Sequence, residues 1–359
     1  MRAIEISGVR RVFDLARTLK DPVNLSIGQP HFDVPDSIKA AAKAAIDRGA
    51  NGYTTSPGIP ELRERLQSQV DAKYPGQGRA TIVSSGTSGG LMLALMCTIN
   101  PGDEVIFFDP YFVSYPHLIT LCGGRMVVVD THPSFHIDLD RVAAAMSPRT
   151  KAVIVNSPSN PSGVVIPPET LRGLAKLCRE RDVLIVSDEI YHAFSYDSPF
   201  CSPAEFSADV LVTDGFGKTY GMTGWRMGFA HGPKPLIEEM TKLQQFSFVC
   251  PPSMAQYGTL AALDFDAGPI VAEYKQKRDR LCNGLRGRYE FTKPGGAFYL
   301  YAKAPGGSGV AFVEEAIRRN LIMIPGTTFS RHDTHFRISY AASDETLDRG
   351  IEILNQLAR

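Results

Sequence analysis

The chain has 359 residues, 43% of them hydrophobic, with 38 Lys+Arg balanced by 38 Asp+Glu. That is enough chain and enough apolar surface for one large domain and a smaller one, and the balanced charge argues against a nucleic-acid-binding field or a disordered acidic tail. The six cysteines form no C-x-x-C pair and no zinc spacing, so they read as reduced core thiols of a cytoplasmic protein, and no metal centre is expected. Glu5, Arg10, Arg11 and Asp14 interrupt the N-terminus too often for a secretory leader, and no stretch approaches the roughly 20 apolar residues of a membrane helix.

In chain order, Val23 to Pro30 is extended and ends on a Gly and a Pro. Pro35 to Arg48 reads as a helix closed by Gly49. Asn51 to Pro60 is a loop dense in turn formers, and a helix from Pro60 to about Tyr74 opens with Pro and Glu. From Ala80 the pattern is regular. Apolar strands are expected at 81–84, 104–108, 125–129, 151–155, 183–187, 210–213 and 226–230. Helices are expected at 89–99, 113–122, 139–146 and 168–181. Continuous apolar strands alternating with helices predict an α/β fold with a mostly parallel seven-stranded sheet covered on both faces. The link between the last two strands is too short for a helical crossover, so one of them is expected to run antiparallel. After Pro233 the pattern becomes α+β. Helices are expected at 235–246, 252–263, 270–288, 309–320 and 344–357, with short strands at 321–324 and 335–340, and this region reads as a second, smaller domain.

The polar motifs collect where strands end. Ser84-Ser85-Gly86-Thr87-Ser88-Gly89-Gly90 follows a strand and opens a helix, an arrangement of N–H groups and hydroxyls suited to phosphate, although a tight turn would look the same. Asp109-Pro110-Tyr111-Phe112, Asn156 to Gly163 and Asp188-Glu189-Ile190-Tyr191 each follow a strand, and each taken alone also reads as a turn, a helix cap or a core aromatic. Lys218 lies among Gly215, Gly217 and Gly221 at the end of another strand, and Arg226 follows. Open α/β sheets bind ligands at that edge. A phosphate cradle, an amide, an aspartate with a phenol, an aromatic plate and a lysine together fit pyridoxal phosphate, which needs a lysine Schiff base, an acid beside its pyridine nitrogen and an anion site.

These motifs are specific in combination. Together with Asn24 to Pro30, Gly52-Tyr53-Thr54, Gly58 to Arg63, Lys218 to Arg226 and Arg337-Ile338-Ser339-Tyr340-Ala341, the chain resembles the fold-type I, class I/II aminotransferases of the aspartate aminotransferase superfamily, from about Val23 to Leu357. The resemblance implies a large pyridoxal-phosphate-binding domain over 35–265 and a small domain of 1–34 plus 266–359. It implies that Lys218 forms the Schiff base, that Asp188 faces the pyridine nitrogen, and that Tyr191 and Asn160 bond the phenolic oxygen. Phe112 would stack on the ring. Gly86, Thr87, Ser88 and Arg226 would hold the phosphate, and Tyr53 would reach the phosphate of the neighbouring subunit in a homodimer. Arg337 would grip the substrate carboxylate in a site that Gly28 and Asn160 also line. Catalysis would rest on Lys218, Asp188 and Tyr191, moving an amino group from an L-amino acid to a 2-oxo acid by ping-pong kinetics.

Three departures stand out. Gly217 replaces a common Ser, Ser162 a common Thr, and His31 stands near the expected substrate entrance where Asp or Glu is common. A pyridoxal-phosphate lyase or decarboxylase would use the same constellation. A DNA-binding regulator would need a module that the residues before Val23 are expected to be too few to build. A nicotinamide dehydrogenase would need a glycine fingerprint that is missing.

Overall fold

A computed structural model describes residues 19–358; the N-terminal segment 1–18, read above as no leader peptide, lies outside the described residues. The strands, in chain order, are β1 (Val23–Asn24), β2 (Arg79–Ser85), β3 (Glu104–Asp109), β4 (Arg125–Asp130), β5 (Thr150–Asn156), β6 (Leu184–Asp188), β7 (Val210–Gly215), β8 (Met227–Pro233), β9 (Tyr299–Lys303), β10 (Leu321–Ile322), β11 (Ile324–Pro325) and β12 (His335–Ser339). Seven of them form one sheet in the order β2-β8-β7-β6-β5-β3-β4. The sheet is parallel except for β8, which runs antiparallel to both β2 and β7. The seven expected strands and the expected antiparallel member are therefore present.

Helices cover both faces of this sheet. Leu91 and Leu95 of the helix Gly86–Thr98 pack with Val105, Phe107, Ile154 and Val186 on one face. Leu171, Leu174 and Cys178 of the helix Pro168–Glu180 pack with Ile106, Val153, Ile185 and Val212 on the other. Alternate residues of each strand thus face opposite cores, and this explains why the strands are apolar throughout rather than alternating. A second body of packing forms around a three-stranded antiparallel sheet, β11-β12-β9. Tyr274, Leu281 and Leu285 of the helix Gly268–Leu285 and Leu347 and Leu354 of the helix Asp344–Leu357 bury against Phe298, Leu300, Phe336 and Ile338. The chain's first strand joins this part, because β1 pairs in parallel with β10, Val23 opposite Leu321.

Two sequence expectations need correction. The helix expected from Gly89 begins at Gly86, because Gly86 at φ 69° turns the chain straight out of β2. The strand expected over 321–324 is two short pieces, β10 and β11, that pair with different partners. Beside these, the segment ending in Tyr299-Leu300-Tyr301, for which no element was expected, forms the strand β9 at one edge of the small sheet, paired with the central β12, with Phe298 to Ala302 all buried.

Candidate active site

The parallel register brings the carboxyl ends of neighbouring strands level. Asn156 pairs with Asp188, and Asp188 with Thr213, at the ends of β5, β6 and β7. A cavity of about 260 Å³ opens beyond this edge. It is lined by Gly86, Thr87, Ser88, Phe112, Asp188 and Tyr191 on the sheet side. Lys218 and Arg226 line it from the β7–β8 link, Asn160 from the turn after β5, and Gly28 and Arg337 from the part of the molecule built around the small sheet. Eleven of the twelve predicted site residues therefore meet in one place. Tyr53 does not: it is 88% exposed on the loop before the helix Pro60–Lys73.

At one end of the cavity lies the N-terminus of the helix Gly86–Thr98, where Ser85 gives no side-chain cap to the first amides. Thr87 Oγ1 is buried there without a hydrogen-bond partner. A Cβ on Gly86 would lie 2.6 Å from Arg226 Nη2, so glycine is what lets the guanidinium sit over the helix start. Arg226 itself takes a left-handed conformation (φ 56°) just before β8, and its Nη1 donates to Thr223 O at 2.9 Å. Free amides, an orphaned hydroxyl and a guanidinium form an anion site that fits a phosphate.

Lys218 Nζ donates to Gly28 O at 2.5 Å. Burial, reinforced by the nearby Arg337 and Arg226, lowers its pKa to about 8, within reach of a free nucleophilic amine at neutral pH. Asp188 is 3% exposed, and burial pushes its carboxyl up to about 6 against the opposing effect of its hydrogen bond from Tyr115 Oη at 2.7 Å. A carboxylate held this way gains from a cationic neighbour such as a protonated pyridine nitrogen.

Arg337, from β12, is buried at the other end. Its Nη1 donates to Asn160 Oδ1 at 2.9 Å and its Nη2 to Ser26 O at 2.8 Å. The guanidinium lies 4.5 Å from the ring centroids of both Tyr299 and Phe329, and Nε has no partner. Tyr191 and Tyr299 share a hydroxyl–hydroxyl bond of 2.8 Å, and burial raises both phenols, so both stay protonated. A Cβ on Gly28 would lie 2.7 Å from Tyr299 Oη.

Tyr115 and Tyr299 are site residues that the sequence reasoning missed. Tyr115 lies in an apolar helix, Ser114–Leu121, and Tyr299 in the unbroken hydrophobic run Ala297 to Ala302, so both pass for core. The departures are local. His31 does not line the cavity; its Nδ1 is 3.0 Å from Tyr274 Oη and its Nε2 3.2 Å from Glu273, which turns it onto the helix Gly268–Leu285. A Cβ on Gly217 would meet only Thr223, no closer than 3.4 Å, so the site does not demand glycine there. Ser162 Oγ accepts from Val164 N at 3.3 Å and closes its turn as a threonine hydroxyl would.

The model of a known family, described as aminotransferase class I and II, matches residues 20–354. The chain belongs to the class I and II aminotransferases. Relatives of this aminotransferase include a probable aspartate aminotransferase of Methanocaldococcus jannaschii, 38% identical, covering 99% of this chain and 97% of the relative. The aspartate/prephenate aminotransferase of Thermus thermophilus is also 38% identical, with 95% and 92% covered. The solved structure of Thermus thermophilus aspartate aminotransferase with maleate superposes with a TM-score of 0.93 at 36% identity, over 99% of this chain and 98% of that one. The aminotransferase is therefore a pyridoxal-phosphate enzyme of fold type I that transfers amino groups, and the lyase reading is not favoured. No helix among the described residues is long and apolar enough to cross a membrane.

Proposed function

We propose that this enzyme moves the amino group of an L-amino acid to a 2-oxo acid in one cavity, with Lys218, Asp188 and Arg337 in separate roles. The observation that carries the assignment is their convergence: a lowered-pKa lysine, a buried carboxylate and a buried guanidinium reach one cavity from three distant segments, with an anion site at its far end. Gly86, Thr87, Ser88 and Arg226 would hold the phosphate, Phe112 would cover one ring face, and Asn160 and Tyr191 would serve the phenolic oxygen. Asn160 Oδ1 is committed to Arg337, so its Nδ2 is the remaining donor. Bound there, pyridoxal phosphate supplies a carbonyl for the substrate amine and a ring that accepts electrons from Cα.

The chain's own groups do the rest. Arg337 binds the substrate carboxylate and so fixes where the Cα–H bond points. Lys218 Nζ takes the proton from Cα in the first half-reaction and returns one to Cα of the incoming 2-oxo acid in the second. Asp188, steadied by Tyr115, keeps a negative charge beside the ring nitrogen. The amino acid is bound and its 2-oxo acid leaves before the acceptor enters, which gives ping-pong kinetics.

The test is the visible absorbance of the purified protein against single amino acids, aspartate and aromatic donors included because relatives carry those names. Conversion of the lysine-bound band with release of a stoichiometric 2-oxo acid supports the assignment. Release of ammonia or carbon dioxide instead would overturn it.

A homodimer follows from the same reading. Tyr53 is almost wholly exposed, Phe246 is 85% exposed and Phe248 and Val249 are partly so, an apolar surface suited to a second copy. Tyr53 would reach the partner's phosphate. Mixing inactive Lys218→Ala subunits with Tyr53→Phe subunits should then restore tight cofactor binding in the hybrid's one intact site; no restoration would remove Tyr53 from the neighbour's site. Residues 35–265 would serve as the large domain, and the described residues before 35 with those after 265 as the small one. The pairing of β1 with β10 supports that division. A cytoplasmic setting suits the free cysteines at 97, 122, 178, 201, 250 and 282.

A further inference from the structure

Away from the active site, a carboxylate and two imidazoles meet where the outer edge of the large sheet faces the loop leading into β12. Asp130 ends the edge strand β4, His132 lies just beyond it, and His332 comes from 202 residues after Asp130. Asp130 Oδ1 is 2.8 Å from His132 Nδ1, and Asp130 Oδ2 is 3.2 Å from His332 Nε2. The three donor atoms all lie within 4.8 Å of one another. Ligands around a tetrahedral zinc, bound at about 2.0–2.1 Å, are about 3.3 Å apart, so each imidazole already stands near that spacing from an Asp130 oxygen, and small side-chain adjustments bring the set around one ion.

A second observation is independent of these contacts. Asp109 Oδ1 is buried without a hydrogen-bond partner, on a side chain 2% exposed, and lies 3.8 Å from His132 Nδ1. Its other oxygen accepts from Arg331 N at 2.9 Å, in the same loop as His332. A buried carboxylate oxygen left unpaired is costly, and a nearby cation is what would satisfy it.

We propose that Asp130, His132 and His332 form a site for a divalent transition cation of the zinc type, with Asp109 as a second anionic oxygen behind it. Two imidazoles with a carboxylate suit zinc, nickel or copper rather than the harder magnesium or calcium. The His332 and Asp130 side chains are 44% and 48% exposed, so the ion exchanges with solvent rather than being locked in during folding. Its effect is mechanical. The loop that carries His332 begins at Phe329, which lines the catalytic cavity, and Phe329 O already accepts from Tyr111 N at 2.8 Å. Arg331 N on Asp109 and His332 on Asp130 tie the loop to the large sheet as well, and a bound cation replaces the Asp130–His332 contact by stronger coordination, so the wall of the substrate site is held more firmly.

The experiment is titration of untagged, chelator-treated holoenzyme with zinc chloride by calorimetry, repeated with cobalt(II) to read ligand-field absorbance. One equivalent per chain should bind, and His332→Ala and His132→Ala should each weaken binding at least tenfold. Zinc should raise the thermal midpoint of the wild type and leave that of His332→Ala unchanged; His332 is exposed, so this variant folds even if the one at His132 does not. Absence of a one-to-one site in the wild type, or binding kept at wild-type strength in His332→Ala, would overturn the proposal.

Discussion

Replacing Arg337 with Ala separates substrate recognition from cofactor binding. The side chain is 4% exposed, stacked between Tyr299 and Phe329 and fixed by Asn160 and Ser26, so its guanidinium is oriented before any substrate arrives. Truncating one member of a buried, hydrogen-bonded charge pair costs about 2–5 kcal/mol. At about 1.4 kcal/mol per factor of ten, kcat/KM for the amino acid should fall by roughly 30-fold to 3,000-fold. The anion site at Gly86 to Ser88 and Arg226 shares no hydrogen bond with Arg337, so affinity for pyridoxal phosphate should change far less. Arg337→Lys should recover only part of the loss, because an ammonium keeps the charge without the planar fork. The assay is the single-turnover half-reaction followed by absorbance across amino acid concentrations, with cofactor affinity measured separately. A kcat/KM within threefold of wild type in Arg337→Ala, or equal losses for cofactor and substrate, would refute the reasoning.

Tyr115→Phe removes the hydrogen bond that holds down the Asp188 pKa, so the carboxyl should rise further; the acid limb of the kcat–pH profile should move to higher pH with a loss of about tenfold to a hundredfold at neutrality, whereas a purely structural role would lower the rate without moving the limb. Gly28→Ala puts a methyl 2.7 Å from Tyr299 Oη, which should break the Tyr191–Tyr299 bond and raise KM for amino acids several-fold in steady-state assays; an unchanged KM would count against that contact. In the cofactor-free protein Lys218 must lose its proton to capture pyridoxal phosphate. Its pKa is lowered from 10.5 to about 8, so stopped-flow capture should accelerate about tenfold per pH unit up to about 8 and then level off, rather than climbing towards pH 10. The sign for stability follows. Between those two pKa values the unfolded chain binds more protons than the folded one, so this group makes the cofactor-free protein more stable as pH rises from about 8 to 10.5, measurable by denaturant unfolding.

The large sheet was legible because a parallel sheet buried on both faces leaves strands apolar throughout, and Val153 or Ile185 has no solvent side to blur the pattern. The cofactor residues were legible because each follows a strand in a short polar or glycine-rich motif. Tyr115 and Tyr299 were not, since a phenol whose ring packs in a core and whose hydroxyl serves a distant carboxylate or phenol looks like any buried aromatic. Gly86 to Ser88 read as loop because Gly, Thr and Ser form helices poorly, and only the turn at Gly86 makes them a first helical turn. The Asp130, His132 and His332 cluster was hidden because Asp130 and His132, two residues apart, pass for a turn, and His332 joins them only through the docking of the loop before β12 against β4.

The pairing of β1 with β10 also sets an order of assembly. Leu25 O accepts from Ser339 N, Ser26 O from Arg337 and Gly28 O from Lys218, so the extended N-terminal segment takes its place only when strands made at the end of synthesis are available. On the ribosome, residues 79–233 can complete their sheet and its phosphate cradle while this early segment still waits for its partners. A nascent chain should therefore gain the capacity to hold its cofactor before it can tell one amino acid from another.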